Sequence, residues 1–284
     1  MAESEENREV SEVVETVSAM GGALAGTALT LTLIAGPFVG STSGEAVARV
    51  LLRVGFEIER RFMAPRQERR IGEAYKAAAE GVARELEAGR EARTDGFFDH
   101  PDPDHASPAE EILEGVLRTA ADEWEQRKVP TIGRMFATVS FDPSVSPADA
   151  NYLLKLTDRL TYQQVVLLAF WEAAQDEGRR YRQEVMSASA RVGEGRNRPT
   201  DTILAEMNDL AGMCLLGVIN SDGRLVRVGE TIGGLGGFQT YGGGVNLTAV
   251  KLSDMGGTLY RLMGLDEVPD RDLQQIALAL HGPF

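Results

Sequence analysis

Cysteine and histidine are scarce in this sequence, and their scarcity limits the chemistry that the chain can support. One cysteine, Cys214, and three histidines occur among 284 residues. A single cysteine excludes an intrachain disulfide and a metal cluster built on thiolates. Because Cys214 lies in the apolar run AGMCLLGVI, we expect it to be a small buried hydrophobic residue.

Basic residues are outnumbered by acidic ones. The chain has 29 Lys and Arg against 43 Asp and Glu, which leaves a formal net charge of −14. This charge repels phosphate backbones, so nucleic acid is not an expected partner. The first fifteen residues contain six Glu and one Arg, whereas a secretory signal peptide begins with basic residues, so none is predicted.

Motifs for phosphate binding and catalysis are missing. The glycine-dense stretch 229–244 contains neither GxxxxGK[ST] nor a GxGxxG that opens a helix after a strand. The histidines have no neighbours in sequence that suggest a Ser-His-Asp or Cys-His arrangement. We therefore predict that the chain is not an enzyme and takes no cofactor.

Two of the three histidines, His100 and His105, lie in the sequence DHPDPDH at 99–105. Two imidazoles beside carboxylates can bind a divalent transition metal. The prolines, however, impose an extended chain that points successive side chains apart. A solvated loop is the prediction here, and a metal site is the alternative.

The strongest local feature is a stretch of 29 consecutive uncharged residues, 16–44. Its central part is long enough to cross a hydrocarbon layer of ~30 Å, which takes roughly twenty helical residues. It is rich in Gly, Ala and Thr, which favours contact between helices over a lone anchor in lipid. A hairpin buried within a soluble helical fold is the alternative.

Glycines at spacings of four define two faces on this stretch where helix backbones can approach closely. We predict a glycine zipper that contacts the membrane and joins copies of the chain into a homo-oligomer. Its glycines and large apolar residues are Gly22, Gly26, Leu31, Leu33, Ile34, Gly36, Phe38, Gly40 and Gly44.

An amphipathic helix is predicted directly after this stretch, because apolar residues recur at spacings of three and four. They are Val47, Val50, Leu51, Val54 and Ile58. A basic flank accompanies them, at Arg49, Arg53, Arg60 and Arg61. The positive-inside bias then predicts an inner-membrane protein with its bulk in the cytoplasm, and a wholly cytoplasmic protein is the alternative.

The middle of the chain is predicted to be helical. Residues 67–93 have a helical pattern, and the Pro- and Asp-rich sequence that follows indicates a loop. Ser107 is expected to cap a helix that runs to about Arg127 and is ended by Val129-Pro130. Both tryptophans, at 124 and 171, are interpreted as core or groove residues.

Two further helices and a linker complete this region. Ser146 is expected to cap an amphipathic helix with Leu153, Leu156 and Leu160 on its apolar face. Residues 161–177 indicate another helix, which is richer in apolar residues and hence more buried. The tract ARVGEGRNRPT has the composition of a linker.

The last 85 residues have the layout of a winged helix. A helix capped at Thr200 is expected to end around Gly217 and to be followed by the strand-like LVRV. The glycine-dense stretch then forms the wing, the alternating VNLTAVKLS a second strand, and two helices close the chain. The fold class predicted overall is mainly α, divided into 1–62, a helical domain at 63–195 and a winged-helix-like domain at 196–284.

Three stretches resemble the bacterial abortive-infection alpha proteins, a class often found with phage-defence genes. Residues 124–133, WEQRKVPTIG, are similar to a segment between helices in that class, and 160–168, LTYQQVVLL, to a buried helix. The LT at 247–248 with LSDMG at 252–256 is similar to its closing pattern. The resemblance covers about half of the chain and implies a non-enzymatic effector at the inner membrane.

Two functions follow as hypotheses. The first is a self-associating, membrane-linked effector or scaffold in antiphage defence, whose protein partner the sequence does not name. The alternative is a soluble cytoplasmic regulator or adaptor with a winged-helix interaction domain. Residues 200–284 contain ten acidic and five basic residues, which does not suit a domain that reads a DNA groove.

Overall fold

A computed structural model describes most of the chain after residue 41. The described residues are 42–59, 64–100, 105–175, 181, 183, 185–186, 198–219, 224–226 and 247–281. They belong to two compact units, Met1–Arg159 and Leu160–Phe284. Most of them are helical and a small sheet lies in the second unit, so the mainly helical class is confirmed.

The described part of the first unit contains five helices. They are α1 Thr42–Glu59, α2 Pro65–Glu87, α3 Pro108–Asp122, α4 Val129–Phe141 and α5 Pro147–Arg159. A short 3₁₀ turn, Gln126–Lys128, leads into α4. Small residues bring α2 and α4 together: a Cβ added to Gly133 would lie 2.1 Å from the carbonyl oxygen of Ala74. The two backbones can therefore approach closely only because position 133 has no side chain.

The predicted helix starts in this unit are confirmed by their caps. Ser107 Oγ accepts a hydrogen bond from the Glu110 amide at 3.2 Å, and Glu110 Oε2 accepts one from the Ser107 amide at 2.9 Å. This reciprocal arrangement satisfies two amides that the helix itself leaves unpaired. Ser146 Oγ likewise accepts from the Asp149 amide at 3.1 Å at the start of α5.

The predicted helix end at Val129-Pro130 is wrong. These two residues begin α4, and α3 already ends at Asp122 instead of near Arg127. Proline fits the first turn of a helix because its missing N–H would have no partner there in any case. The helix that follows is largely buried and was not predicted.

Helix α2 ends at Glu87, six residues before its predicted end. A residue beyond this end, Arg93, binds the C-terminal end of α4. Arg93 is buried there, and its NH1 donates to the carbonyls of Val139, Asp142 and Val145 at 3.4, 3.2 and 2.8 Å. Its NH2 pairs with Asp95 at 2.5 Å. One guanidinium thus satisfies the carbonyls around the C-terminal end of α4, where a positive charge is favourable.

The described part of the second unit contains four helices and three short strands. They are α6 Tyr162–Gln175, α7 Arg198–Gly212, β1 Leu216–Ile219, β2 Leu225–Val226, β3 Val250–Leu252, α8 Asp254–Leu262 and α9 Asp270–His281. The strands form an antiparallel sheet in the order β2-β1-β3. The predictions of α6, α8 and α9 are confirmed, and the predicted burial of Trp171 is confirmed at 1% exposure.

The predicted helix end near Gly217 is wrong, because the helix stops at Gly212 and Leu216–Ile219 is a strand. Cys214 lies in the turn between them with a φ of +60°, in the left-handed region. It is half-buried, so the expectation of a fully buried residue is also wrong. The helix begins at Arg198, inside the predicted linker and two residues before Thr200.

The predicted second strand is shorter than expected. Within VNLTAVKLS, Leu247–Ala249 is a 3₁₀ turn and Val250–Leu252 is the strand. The glycine-dense stretch 229–244, predicted as the wing, lies outside the described residues. The two compact units also differ from the three predicted domains, since α1 belongs to the first unit and the division falls after Arg159.

Candidate functional site

Most of the predicted zipper lies outside the described residues. This applies to Gly22, Gly26, Leu31, Leu33, Ile34, Gly36, Phe38 and Gly40, and in the basic flank to Arg60 and Arg61. Gly44, Arg49 and Arg53 are described, and all three lie on α1. The candidate site is therefore the helix on which the uncharged stretch ends.

Helix α1 is amphipathic, as predicted. Its apolar face, together with Gly44, is buried against α2 and α3, whereas Arg49 and Arg53 are exposed. The buried apolar residues are Val47, Val50, Leu51 and Val54, each at most 5% exposed. The apolar face therefore serves the packing of the first unit.

Tyr75 of α2 fixes the position of α1. Its hydroxyl donates to the carbonyl of Leu51 at 3.0 Å, and its ring occupies the place where a side chain at Gly55 would lie. A Cβ at Gly55 would be 2.7 Å from Tyr75 Cε2. Burial raises the pKa of the Tyr75 hydroxyl far above its ordinary value, so the group stays a neutral donor.

Arg53, His100 and Glu110, here called the Arg53 cluster, connect α1 to the loop before α3 and to α3 itself. Arg53 NH1 lies 3.0 Å from Glu110 Oε1 and 3.3 Å from His100 Nε2. His100 Nδ1 lies 3.0 Å from the carbonyl oxygen of His105 and 3.6 Å from Glu110 Oε2. The structure thus brings a predicted flank residue together with both predicted loop histidines.

The contacts of this cluster decide what it can do chemically. Both nitrogens of His100 have neighbours, and both oxygens of Glu110 are engaged, one by Arg53 and one by the Ser107 amide. Nδ1 faces a carbonyl oxygen, so the tautomer with its proton on Nδ1 lets Nε2 accept from the guanidinium. The arrangement holds α1 against α3. Within the described residues, no group of three or more His, Cys, Asp or Glu could hold a metal ion.

None of the helices within the described ranges is long and apolar enough to cross a membrane. The central part of the uncharged stretch, which is predicted to do so, lies outside those ranges. The membrane segment therefore stays a prediction.

The interpretation of Trp124 as a core or groove residue is wrong, since it is 84% exposed. Beside it, Glu123 and Lys128 form an ion pair whose side chains are only 3% and 1% exposed. Nothing in the sequence marks this pair as buried, because charged residues in a turn are ordinarily solvated. Only the tertiary structure shows that the pair is buried.

The chain matches no known family model, no curated protein and no solved structure. The expected relation to abortive-infection alpha proteins therefore stays a prediction.

Proposed function

We propose that this chain is a non-enzymatic effector or scaffold that self-associates at a membrane through its uncharged N-terminal stretch. The observation that supports this most is the way that stretch ends. It ends at Gly44, inside α1, and the apolar face of α1 is buried in the first unit. The stretch is thus joined to the folded body by a packed helix.

The packing of α1 makes this connection strong. Full burial of one aliphatic side chain stabilises by roughly 1.5–3 kcal/mol, and four such residues of α1 are buried. The Tyr75 hydrogen bond and the Arg53 cluster hold the helix at two further points. Association or movement of residues 16–41 would therefore be passed to the first unit.

The proposal has no catalytic step. The titratable groups of the Arg53 cluster, His100 and the carboxylate of Glu110, are engaged in contacts between helices and loops. A role in antiphage defence, an inner-membrane location and a cytoplasmic bulk belong to the same proposal. They rest on the sequence alone.

Residues 196–284, which lie within the second unit, are proposed to be a winged-helix-like domain that receives a partner protein. In its favour, α7 precedes a three-stranded antiparallel sheet, and two helices follow that sheet. The acidic balance of residues 200–284 favours a protein partner over DNA. The same features support the alternative function, a soluble adaptor.

Flotation of the full chain with membranes separates the two functions. We expect the wild-type chain to float with vesicles and to remain bound after a carbonate wash, because an apolar stretch in the hydrocarbon is insensitive to salt and pH. A variant lacking residues 16–41 should stay at the bottom of the gradient. If the wild-type chain never floats, the proposed membrane function is excluded and the soluble adaptor is the function that remains.

A further inference from the structure

Trp124 lies in the turn between α3 and the 3₁₀ turn Gln126–Lys128, with 84% of its surface exposed. A single exposed apolar residue is common on protein surfaces and means little alone. What distinguishes Trp124 is the turn that holds it. Its neighbours Glu123 and Lys128 are both buried and paired.

The buried ion pair between Glu123 and Lys128 fixes the conformation of this turn. Burying two charged groups carries a desolvation penalty that their attraction offsets only in part. Glu123 Oε1 also accepts a hydrogen bond from the Glu125 amide at 2.8 Å, so the backbone on both sides of Trp124 is held by one carboxylate.

Helix α2 holds the same turn from the other side. Arg70 NH1 donates to the carbonyl of Ala121 at 3.2 Å, and Gln67 Nε2 donates to Asp122 Oδ1 at 3.3 Å. A further hydrogen bond joins Gln126 to Glu73. The indole is thus presented on a preorganised support, which lowers the entropy lost when a partner binds.

The carboxylates around the turn have partners within the protein, whereas two arginines near it have none among the described residues. The carboxylates of Glu73, Asp122 and Glu123 accept the internal bonds just described. Arg66 and Arg69 are exposed on the first turns of α2, and neither forms an ion pair with any described residue. Their spacing of three places both on one face of the helix, beside the residues that bond the turn.

We propose that Arg66, Arg69 and Trp124, here called the Trp124 surface, bind an acidic segment of a partner protein. Guanidinium groups pair with carboxylates in well-defined geometry, and Trp and Arg are the residue types most enriched at binding hot spots. The partner supplies carboxylates to the two arginines and apolar side chains to the indole. This surface does not depend on the proposed membrane function.

The position of the surface favours a protein over a lipid bilayer. The uncharged stretch joins α1 near Thr42, whereas only five residues separate the other end of α1, at Glu59, from the start of α2 at Pro65. The 18 residues of α1 span ~27 Å at 1.5 Å per residue. The Trp124 surface therefore lies at the end of α1 that is remote from the stretch predicted to enter the membrane.

Tryptophan fluorescence of the full chain tests this proposal, because Trp171 is buried and Trp124 dominates the solvent-exposed emission. The probes are a twelve-residue peptide that alternates Glu with Leu, its Lys/Leu counterpart, and phosphatidylglycerol vesicles. We expect the Glu/Leu peptide alone to shift the emission to shorter wavelength. The shift should be absent in W124F.

Charge reversal tests whether Arg66 and Arg69 bind the peptide. With the anisotropy of a fluorescein-labelled Glu/Leu peptide as the readout, the double variant R66E/R69E should bind at least about tenfold more weakly than wild type, and W124A about 30-fold more weakly. A matched control, K76E/R84E, reverses two exposed charges on the same helix and should bind like wild type. Y152A, which removes another exposed aromatic side chain of the first unit, should also bind like wild type.

Four outcomes would overturn the proposal. They are equal binding of the Lys/Leu peptide, no binding of either peptide, full binding by R66E/R69E, or a shift caused by the vesicles instead. A shift that grows with protein concentration in the absence of peptide would assign the surface to a second copy of this chain.

Discussion

At the scale of single residues, two adjacent glycines of α8 differ in what a side chain would meet. A Cβ at Gly256 would lie 2.1 Å from the carbonyl oxygen of Leu215, whereas a Cβ at Gly257 would meet nothing within 4 Å. We expect G256A to lower the free energy of unfolding by about 1–3 kcal/mol through overpacking. G257A should raise it by up to ~1 kcal/mol, because alanine is the better helix former. Denaturant titration measures both, and equal stabilities would contradict the described packing of α8.

The buried pair beside Trp124 makes a second prediction. K128M removes the cation and leaves the carboxylate of Glu123 buried without it, which should cost about 3–5 kcal/mol of unfolding free energy. Adding Glu123→Gln removes the uncompensated charge and should restore part of the loss. Urea denaturation of the three proteins checks this. If K128M is as stable as wild type, the pair is not buried as described.

Residue environments were the part of the structure that the sequence predicted least well. Trp171 lies in a continuous apolar helix, so its burial followed from the pattern. Trp124 has charged neighbours on both sides, and its exposure depends on which of them the tertiary structure buries. A hydrophobicity pattern cannot show that Lys128 is more buried than the tryptophan four residues before it.

At the scale of elements, the sequence predicted the helix caps, but it did not show where a continuous apolar run changes from helix to strand. Ser107 and Ser146 are followed by proline and acidic residues, and both begin helices. The run MCLLGVI has no periodicity that separates a helix from a strand, so the turn at Cys214 was missed. The sequence around Val129-Pro130 does not show whether a helix begins or ends there, because proline is common both at the first turn of a helix and shortly after its last.

The capping of α4 by Arg93 has a pH dependence that can be measured. The hydrogen bond from Arg93 lowers the pKa of Asp95 below its ordinary value of ~3.9. Asp95 therefore stabilises the fold above that value, and the contribution is lost as the pH falls through the lower pKa of the folded state. We expect D95N to melt below wild type at pH 6, with a difference that shrinks below pH ~4. A difference that is constant from pH 7 to pH 3 would contradict this account.

At the scale of the whole molecule, the helical class followed from periodicity, but the division of the chain did not. A boundary was predicted after residue 62, yet α1 packs against α2 and α3 in the first unit. The predicted linker did not mark the division either, which falls after Arg159. Domain boundaries depend on contacts between distant residues, and composition reports those contacts only indirectly.

Crosslinking in membranes tests whether the uncharged stretch joins copies of the chain. The variant G36L/G40L makes the stretch more apolar but holds helix backbones apart. Gly44 is left unchanged because it is buried in α1. The control T27L/A35L adds similar bulk at positions that are not three or four residues from any glycine of the predicted zipper.

The measurement is chemical crosslinking of each full-length protein after it has floated with membranes. We expect G36L/G40L to float like wild type and to lose its crosslinked oligomers, while T27L/A35L keeps both. A G36L/G40L variant that floats and remains as fully crosslinked as wild type would show that these glycines do not join the copies.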